Sequence, residues 1–328
     1  MKSGNQIRAA FLAIFIACII VHWNCSGGHE KADENNPGAE LSGTISISGA
    51  FALYPITVRW AEEFMKLHPK VRIDISAGGA GKGMTDALSQ MVHLGMFSRS
   101  VSDAETKQGA WYIAVTRDAV LPTINAENPL LSQILLKGMT KSDFAKIFLA
   151  ETPGNWENYF DGTGSHPVSV YTRSDACGAA AMWAEFLGKN QEDLEGTGVF
   201  GDPGIADAVK ADKYAIGYNN VNYAFDMTSR KKYPGIEIMP IDLNENGSID
   251  PGESFYSCLD SVMAAIASEK YPSPPARDLF FVSKGKPTDK IVVEFLKWVL
   301  SEGQKYVGEA GYVKLSDEKI ATELRKIN

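Results

Sequence analysis

A glycine-rich turn followed directly by an amphipathic helix and a short strand places the strongest constraint on the fold of this chain. The segment runs from Ser76 to Arg99 and reads SAGGAGKGMTDALSQMVHLGMFSR. Its apolar positions fall on one face of the helix, at Met84, Ala87, Leu88 and Met91. A glycine turn before a helix leaves the first backbone N–H groups free to surround a small anion, which the helix dipole also attracts. The segment therefore predicts an oxyanion seat.

Strands and helices alternate along the rest of the chain. Residues 44–48 (TISIS) and 71–76 (VRIDIS) alternate apolar and polar side chains as strands do. Between them, apolar side chains recur at helical spacing, at Ile56, Trp60, Phe64 and Leu67. This order predicts a strand–helix–strand unit. The alternation continues with WYIAV and AVLPTIN as two further strands, which predicts an α/β fold.

The charge of the chain argues against several partners. The 328 residues carry a formal net charge of -8 at pH 7, and loss of Lys2 and Arg8 with an N-terminal leader would make the chain more negative still. An acidic protein is repelled by nucleic acid and by anionic membrane surfaces. We therefore expect no nucleic-acid partner, and an anion site in this chain must depend on local hydrogen-bond donors.

The sequence contains no recognisable catalytic constellation. Its histidines show no paired metal-ligand spacing, no nucleophile elbow occurs, and GGAGKG lacks the spacing of a P-loop. The sequence therefore predicts a binding protein rather than an enzyme.

The N-terminus has the pattern of an export signal. Lys2 and Arg8 precede the apolar run FLAIFIACIIV, which has the length of a signal-peptide core rather than of a membrane span. We predict a lipoprotein-type signal peptide over residues 1–24, lipidation of Cys25 and a polar flexible tether over residues 25–42. Lipidation of Cys18 and ordinary cleavage are the alternatives. The expected location is the periplasm or cell surface, with membrane attachment through the lipid only.

Several motifs in the same order resemble those of the periplasmic phosphate-binding proteins of ABC importers. The glycine turn and GMFSR resemble that family's GGG-S/T-G-x-G turn and its GMASR strand end. ISGAFALYPITVRWAEEF resembles its first strand and helix, and TRSDACGAA its RxDGSGT turn. AIGYNN and YPSPPARDLFFVSKGKP resemble its GIGYV and YPLSRPLYIYTKGEP segments. The likeness extends from about Gly43 to the C-terminus.

The resemblance implies a fold, a location and a partner. It implies a type II periplasmic-binding-protein fold, with two α/β lobes joined by a two-segment hinge. Lobe 1 would contain residues 43–122 and 228–328, and lobe 2 residues 123–227. It also implies a monomeric, extracytoplasmic protein that captures phosphate or a related small oxyanion for the permease of an ABC importer.

The resemblance also implies a set of ligand-binding residues at three turns. They are Ala50, Phe51, Ala52, Ala80, Gly81, Ser98, Arg99, Arg173, Asp175, Cys177, Gly178 and Ala179. Where the family has hydroxyl side chains, this chain has alanine, phenylalanine or cysteine. Three readings follow: backbone N–H groups and water hold phosphate instead, the ligand is a different organic or inorganic anion, or the protein is a surface interaction protein on the same scaffold.

Two residues of the third turn have local interpretations of their own. Asp175 lies just before a predicted helix, where an aspartate is typical of an N-cap. Cys177 is either an inert replacement for serine, a reactive thiol at a helix N-terminus, or one half of a disulfide with Cys258.

Residues 242–253 match a calcium-binding loop without reference to any family. DLNENGSIDPGE places oxygen donors at loop positions 1, 3, 5, 7, 9 and 12 and glycine at position 6. The predicted Ca²⁺ ligands are Asp242, Asn244, Asn246, Ser248, Asp250 and Glu253. The strand-like GIEIMPI precedes the loop, so we predict a structural calcium clamp rather than a signalling switch. The alternative is an Asx-rich surface turn.

Overall fold

The computed structural model describes residues 40–328. The predicted signal peptide, both candidate lipidation cysteines (Cys18 and Cys25) and almost all of the predicted tether lie outside the described residues. Among the described residues, no helix combines the length and the apolar character needed to cross a membrane.

The strands of the described part form one mixed sheet. They are β1 (Ser42–Gly49), β2 (Lys70–Ala77), β3 (Leu94–Phe97), β4 (Ala110–Asn125), β5 (Ser169–Arg173), β6 (Thr197–Val199), β7 (Ala215–Asn220), β8 (Ile236–Ile238) and β9 (Ala276–Lys284). The spatial order is β2-β1-β3-β9-β4-β7-β5-β6, and β8 pairs with β4. β1 is parallel to β2 and β3, β5 is parallel to β6 and β7, and β9 is antiparallel to β3 and β4.

Helices connect these strands. They are α1 (Tyr54–Leu67), α2 (Ala80–Leu88), α3 (Asp103–Lys107), α4 (Leu131–Lys137), α5 (Lys141–Phe148), α6 (Gly178–Phe186), α7 (Gly201–Ala211), α8 (Val221–Ala224), α9 (Leu259–Ala267), α10 (Lys290–Leu300) and α11 (Asp317–Ile327). The predicted strand–helix–strand unit is confirmed as β1, α1 and β2. In α1, Pro55 occupies the first turn, and Ile56, Trp60 and Phe64 are buried on one face.

Two hydrophobic cores flank the middle of the sheet. The first core contains Ile47, Trp60 and Phe281, and the second contains Trp183 and Tyr218. β4 runs through both cores as a single strand of 16 residues, where the sequence predicts two strands. A register irregularity between Ala114 and Thr116 is accommodated within this strand. The chain therefore passes from the first lobe to the second along β4.

The return to the first lobe lies further along the chain than the expected boundary at 228. β8 pairs with Thr123–Asn125 of β4, and the buried side chains of α9 pack in the second core. Packing therefore places residues 236–267 with the second lobe, and the return follows at β9, which begins at Ala276. This segment adds a strand and a helix to the second lobe. No shift in composition marks the point where the chain returns to the first lobe.

Candidate functional site

The three turns implied by the resemblance lie against one another. The backbone N–H groups of Gly78 and Gly79 donate to the Gly49 carbonyl at 2.9 and 3.1 Å, which joins the second turn to the first. The N–H of Gly81 donates to the Ala176 carbonyl at 3.0 Å, which joins the second turn to the third. Gly79 has φ +88°, and a Cβ there would lie 2.7 Å from a carboxylate oxygen of Asp175. Glycine at this position therefore permits the close approach of the two lobes.

Backbone N–H groups at each of these turns have no acceptor within residues 40–328. They include those of Phe51, Ala52, Ala80, Gly178 and Ala179. Ala52, Ala80 and Ala179 are at most 2% exposed, so water has little access to them. Buried N–H groups are almost always paired in folded proteins. An oxyanion bound at the three turns would supply the acceptors that these groups lack. We call these five N–H groups the anion seat.

Arg173 lies beside the anion seat and is already bonded to two carboxylates. Its Nε and Nη2 donate to Asp175 at 2.7 and 2.6 Å, and its Nη1 donates to Asp202 at 2.6 Å. The guanidinium also lies over the Phe51 ring, 5.5 Å from its centroid. Burial alone would lower the pKa of Arg173, but the charge of Asp202 and the bonds to Asp175 outweigh it and raise the pKa. Arg173 therefore stays charged, and these three bonds use three of its five guanidinium N–H groups.

Asp175 binds Arg173 rather than capping a helix, so its predicted N-cap role is wrong. The N-cap of α6 is Cys177, whose Sγ accepts a hydrogen bond from the Ala180 N–H at 3.3 Å. Asp175 instead accepts from Arg173 and from the Gly201 N–H at 3.1 Å. Asp175 pairs with Arg173 because a buried charge without a partner costs far more free energy than a helix without a side-chain cap.

Asp202 is the main residue of the site that sequence reasoning missed. It is fully buried in the first turn of α7, and its Oδ1 accepts from the Asn220 N–H at 2.9 Å. An aspartate before Pro203 near a helix start is an ordinary helix signal, so the sequence gives no sign of its pairing with Arg173. Two carboxylates on one guanidinium leave no net positive charge, so the anion seat depends mainly on backbone dipoles.

The cysteine side chains in the described residues are free thiols, and the disulfide alternative is not formed in this structure. Cys177 is buried, and burial raises the pKa of its thiol to about 12. A thiol with so high a pKa is protonated at neutral pH and is not an activated nucleophile. Cys177 therefore acts as a small packed side chain and a weak helix cap.

Ser98 and Arg99 occupy different positions relative to the anion seat. Ser98 is 2% exposed and packs directly against Gly178. Arg99 is partly exposed, and its guanidinium is bonded to Glu105 at 2.7 and 3.1 Å. Arg99, Gly81 and Cys177 line a cavity of about 400 Å³ next to the turns. Ala50 is 1% exposed, and its N–H is already used, because it donates to the Met96 carbonyl at 2.9 Å.

The predicted calcium loop folds around two buried carboxylates. Asp242 and Glu253 are 2% and 6% exposed, and no lysine, arginine or histidine among residues 40–328 forms an ion pair with either. Asp242 accepts from the N–H groups of Asn246 and Gly247 at 3.2 and 2.8 Å. Glu253 accepts from the N–H of Leu243 at 2.8 Å. These bonds bring the first and last residues of the loop together.

The other predicted Ca²⁺ ligands of the loop are hydrogen-bonded to one another through Asp250 and Asn246. Oδ2 of Asp250 accepts from the side-chain amides of Asn244 and Asn246, each at 2.9 Å, and Ser248 donates to Asn246. Within the described residues, no group of three or more histidine, cysteine, aspartate or glutamate side chains is gathered closely enough to hold a metal. The loop attaches to the second lobe, because the Ile249 N–H donates to the Leu136 carbonyl at 2.8 Å.

Comparison with known proteins places this fold in a family. The family model described as a PBP superfamily domain matches residues 34–303. The chain belongs to the PBP superfamily. Its mixed α/β architecture and the pairing of strands across two lobes confirm the predicted type II periplasmic-binding-protein fold.

Individual PBP relatives match over nearly their whole length. Phosphate-binding protein PstS of Methanocaldococcus jannaschii is 26% identical over 99% of this chain and 97% of its own. Phosphate-binding protein PstS of Bacillus subtilis is 24% identical over 98% of each chain. A solved Clostridium perfringens structure, assigned as a phosphate ABC transporter substrate-binding protein with bound phosphate, has a TM-score of 0.68 at 22% identity. It covers 84% of this chain and 100% of its own.

Proposed function

We propose that this PBP-family chain is the substrate-binding component of an ABC importer and that it captures phosphate or a closely related oxyanion. The anion seat is the observation that carries the proposal, because its five backbone N–H groups lie at three adjoining turns and have no acceptor in the described part of the chain. The relatives named PstS support the choice of phosphate. Such relatives bind substrates rather than transform them, which fits the prediction of a non-enzyme.

The chemistry of the anion seat favours weak to moderate affinity. A hydrogen bond to a charged group is worth about 1.5–3 kcal/mol, and the hydroxyl donors implied by the resemblance are absent at Ala80, Cys177 and Ala179. Arg173 shares its charge between two carboxylates. A different small oxyanion that needs fewer donors is therefore the alternative ligand.

Calorimetric titration of the ligand-stripped protein tests this proposal. We expect phosphate to release or absorb heat with one site per chain, and arsenate to compete because it has the same shape and charge. Sulfate, molybdate and small carboxylates form the comparison series. Absence of binding by every oxyanion at millimolar concentration would contradict the proposal and favour a surface interaction protein on this scaffold.

We also propose that the mature protein is exported, anchored through a lipid on Cys25 and monomeric. The export pattern of residues 1–24 and the polar stretch after Cys25 support the anchor. Mass spectrometry of the membrane-associated protein tests it: a diacylglycerol-modified Cys25 is the expected N-terminus, and a modified Cys18 or an unmodified N-terminus would contradict it.

We propose further that residues 242–253 bind a structural Ca²⁺ ion. Asp242 and Glu253 are buried, and no cationic side chain in the described part of the chain pairs with either, although burying an unpaired charge is costly. The donors are carboxylate, amide and carbonyl oxygens, which Ca²⁺ prefers. Ca²⁺ would supply the missing positive charge, and the attachment of the loop to Leu136 would transmit that stabilisation to the second lobe.

A further inference from the structure

The aromatic side chain of Phe51 crosses from the first lobe to the second. Phe51 lies between β1 and α1 of the first lobe, and its N–H belongs to the anion seat. Its ring makes edge-to-face contacts with Phe200 and Tyr223 of the second lobe, at centroid distances of 5.9 and 6.4 Å. A Cβ added to Gly201, also in the second lobe, would lie 3.1 Å from the ring. Phe51 therefore combines a donor of the anion seat with a side chain that packs against the opposite lobe.

The guanidinium of Arg173 forms another side of this contact. Its Cζ lies 5.5 Å from the centroid of the Phe51 ring, within the range of a cation–π interaction. The Arg173 side chain is 1% exposed, and cation–π attraction is stronger where water is excluded. Hydrogen bonds to Asp175 and Asp202 fix the position of the guanidinium. The Phe51 ring therefore packs on a charged group that the second lobe holds in place.

The packing around the anion seat links release of an oxyanion to separation of the lobes. Ala52 and Ala80 of the first lobe and Ala179 of the second are at most 2% exposed. The Gly81 N–H of the first lobe also donates to the Ala176 carbonyl of the second. An oxyanion bound in so enclosed a place leaves only when the lobes move apart. That movement also breaks the contacts of the Phe51 ring, because they join the two lobes.

We propose that Phe51 determines the affinity of the anion seat by holding the two lobes together over the bound oxyanion. This inference rests on the proposed function, because its ligand is the oxyanion of the anion seat. A phenylalanine side chain offers the oxyanion no hydrogen-bond donor, unlike the hydroxyl side chain that the resemblance implies at this turn. Its ring instead makes contacts that exist only while the lobes are together. Such contacts lower the rate at which the ligand dissociates.

Rapid filtration of the mature protein loaded with radiolabelled phosphate tests the proposal. Phe51→Ala keeps the backbone N–H and removes the ring, so phosphate should dissociate about tenfold faster while its association rate stays within about twofold of the wild type. Phe51→Leu keeps apolar volume without the ring, and its dissociation rate should fall between these two. Phe280→Ala is the matched control, because Phe280 is also partly buried but pairs with Tyr112 of its own lobe. This control should release phosphate at the wild-type rate.

Equal dissociation rates in Phe51→Ala and Phe280→Ala would overturn the proposal. If Phe51→Ala fails to fold, Phe200→Ala decides, because Phe200 is 61% exposed and its loss should still speed dissociation about threefold. Release at the wild-type rate from Phe200→Ala would then overturn the proposal. If the wild type binds no phosphate, the proposed function fails instead, and small-angle X-ray scattering tests the role of Phe51 separately. Phe51→Ala should then have a larger radius of gyration than the wild type, and equal radii would overturn the proposal.

Discussion

Replacement of Arg173 by methionine should destabilise the protein and weaken oxyanion binding together. Arg173 is the only cationic partner of Asp175 and Asp202 among the described residues. Removal of one member of a buried ion pair typically costs about 3–5 kcal/mol, because the remaining charge is left uncompensated. Loss of a charged donor should weaken phosphate binding by about 10–100-fold. Urea unfolding gives the first quantity and calorimetric titration the second.

Arg59→Met provides the matched control for this variant. Arg59 pairs with Glu63 at 3.3 Å on the surface of α1, and its side chain is 43% exposed. An exposed pair contributes about 0–1 kcal/mol, so this variant should keep nearly wild-type stability and phosphate affinity. If Arg173→Met matches Arg59→Met in both measurements, Arg173 neither supports the third turn nor contacts the ligand.

Calcium should raise the melting temperature of the wild-type protein, and Glu253→Gln should abolish most of that rise. The predicted loop has the modest charge of extracellular calcium modules, whose Kd values are about 10⁻⁴–10⁻³ M. Binding to the folded state alone then gives about 1.4–2.7 kcal/mol at 10 mM free Ca²⁺. A thermal unfolding series against free Ca²⁺ measures the shift.

Glu245→Gln is the matched control, since it removes the same charge within the same loop. Glu245 is exposed and occupies loop position 4, which carries no predicted ligand. This variant should respond to Ca²⁺ as the wild type does, and Mg²⁺ should stabilise all three proteins much less. Equal responses of Glu253→Gln and Glu245→Gln, or no response in the wild type, would show that residues 242–253 form only a surface turn.

More of the fold than of the site could be predicted from the sequence. The spacing of Ile56, Trp60 and Phe64 identified α1 because burial of a helical face requires that period. The turn before α2 was recognisable from its glycines, because glycine readily adopts the positive φ that the turn requires at Gly79. The return at Ala276 was not predictable, because β8 and α9 belong to the second lobe by their packing and no shift in composition separates them from the first-lobe residues that follow.

Pairing between distant residues was the part of the site that the sequence did not reveal. Asp202 lies 29 positions after Arg173, and the two meet only because β5 and α7 pack side by side. The partners of Arg277 likewise depend on where Asp118 and Asn220 lie in space. A motif reports which residue types are available, whereas tertiary packing decides which of them already have partners.

The central claim is that backbone N–H groups at three adjoining turns bind the oxyanion. Amide NMR spectra of the ¹⁵N-labelled protein during phosphate titration test it most directly. The account predicts that the amide protons of Phe51, Ala52, Ala80, Gly178 and Ala179 shift downfield together with one affinity, because each gains a charged acceptor. Gly188 and Gly252, which lie away from the three turns, should not move. Phosphate binding that leaves those five amide signals unchanged would contradict the account.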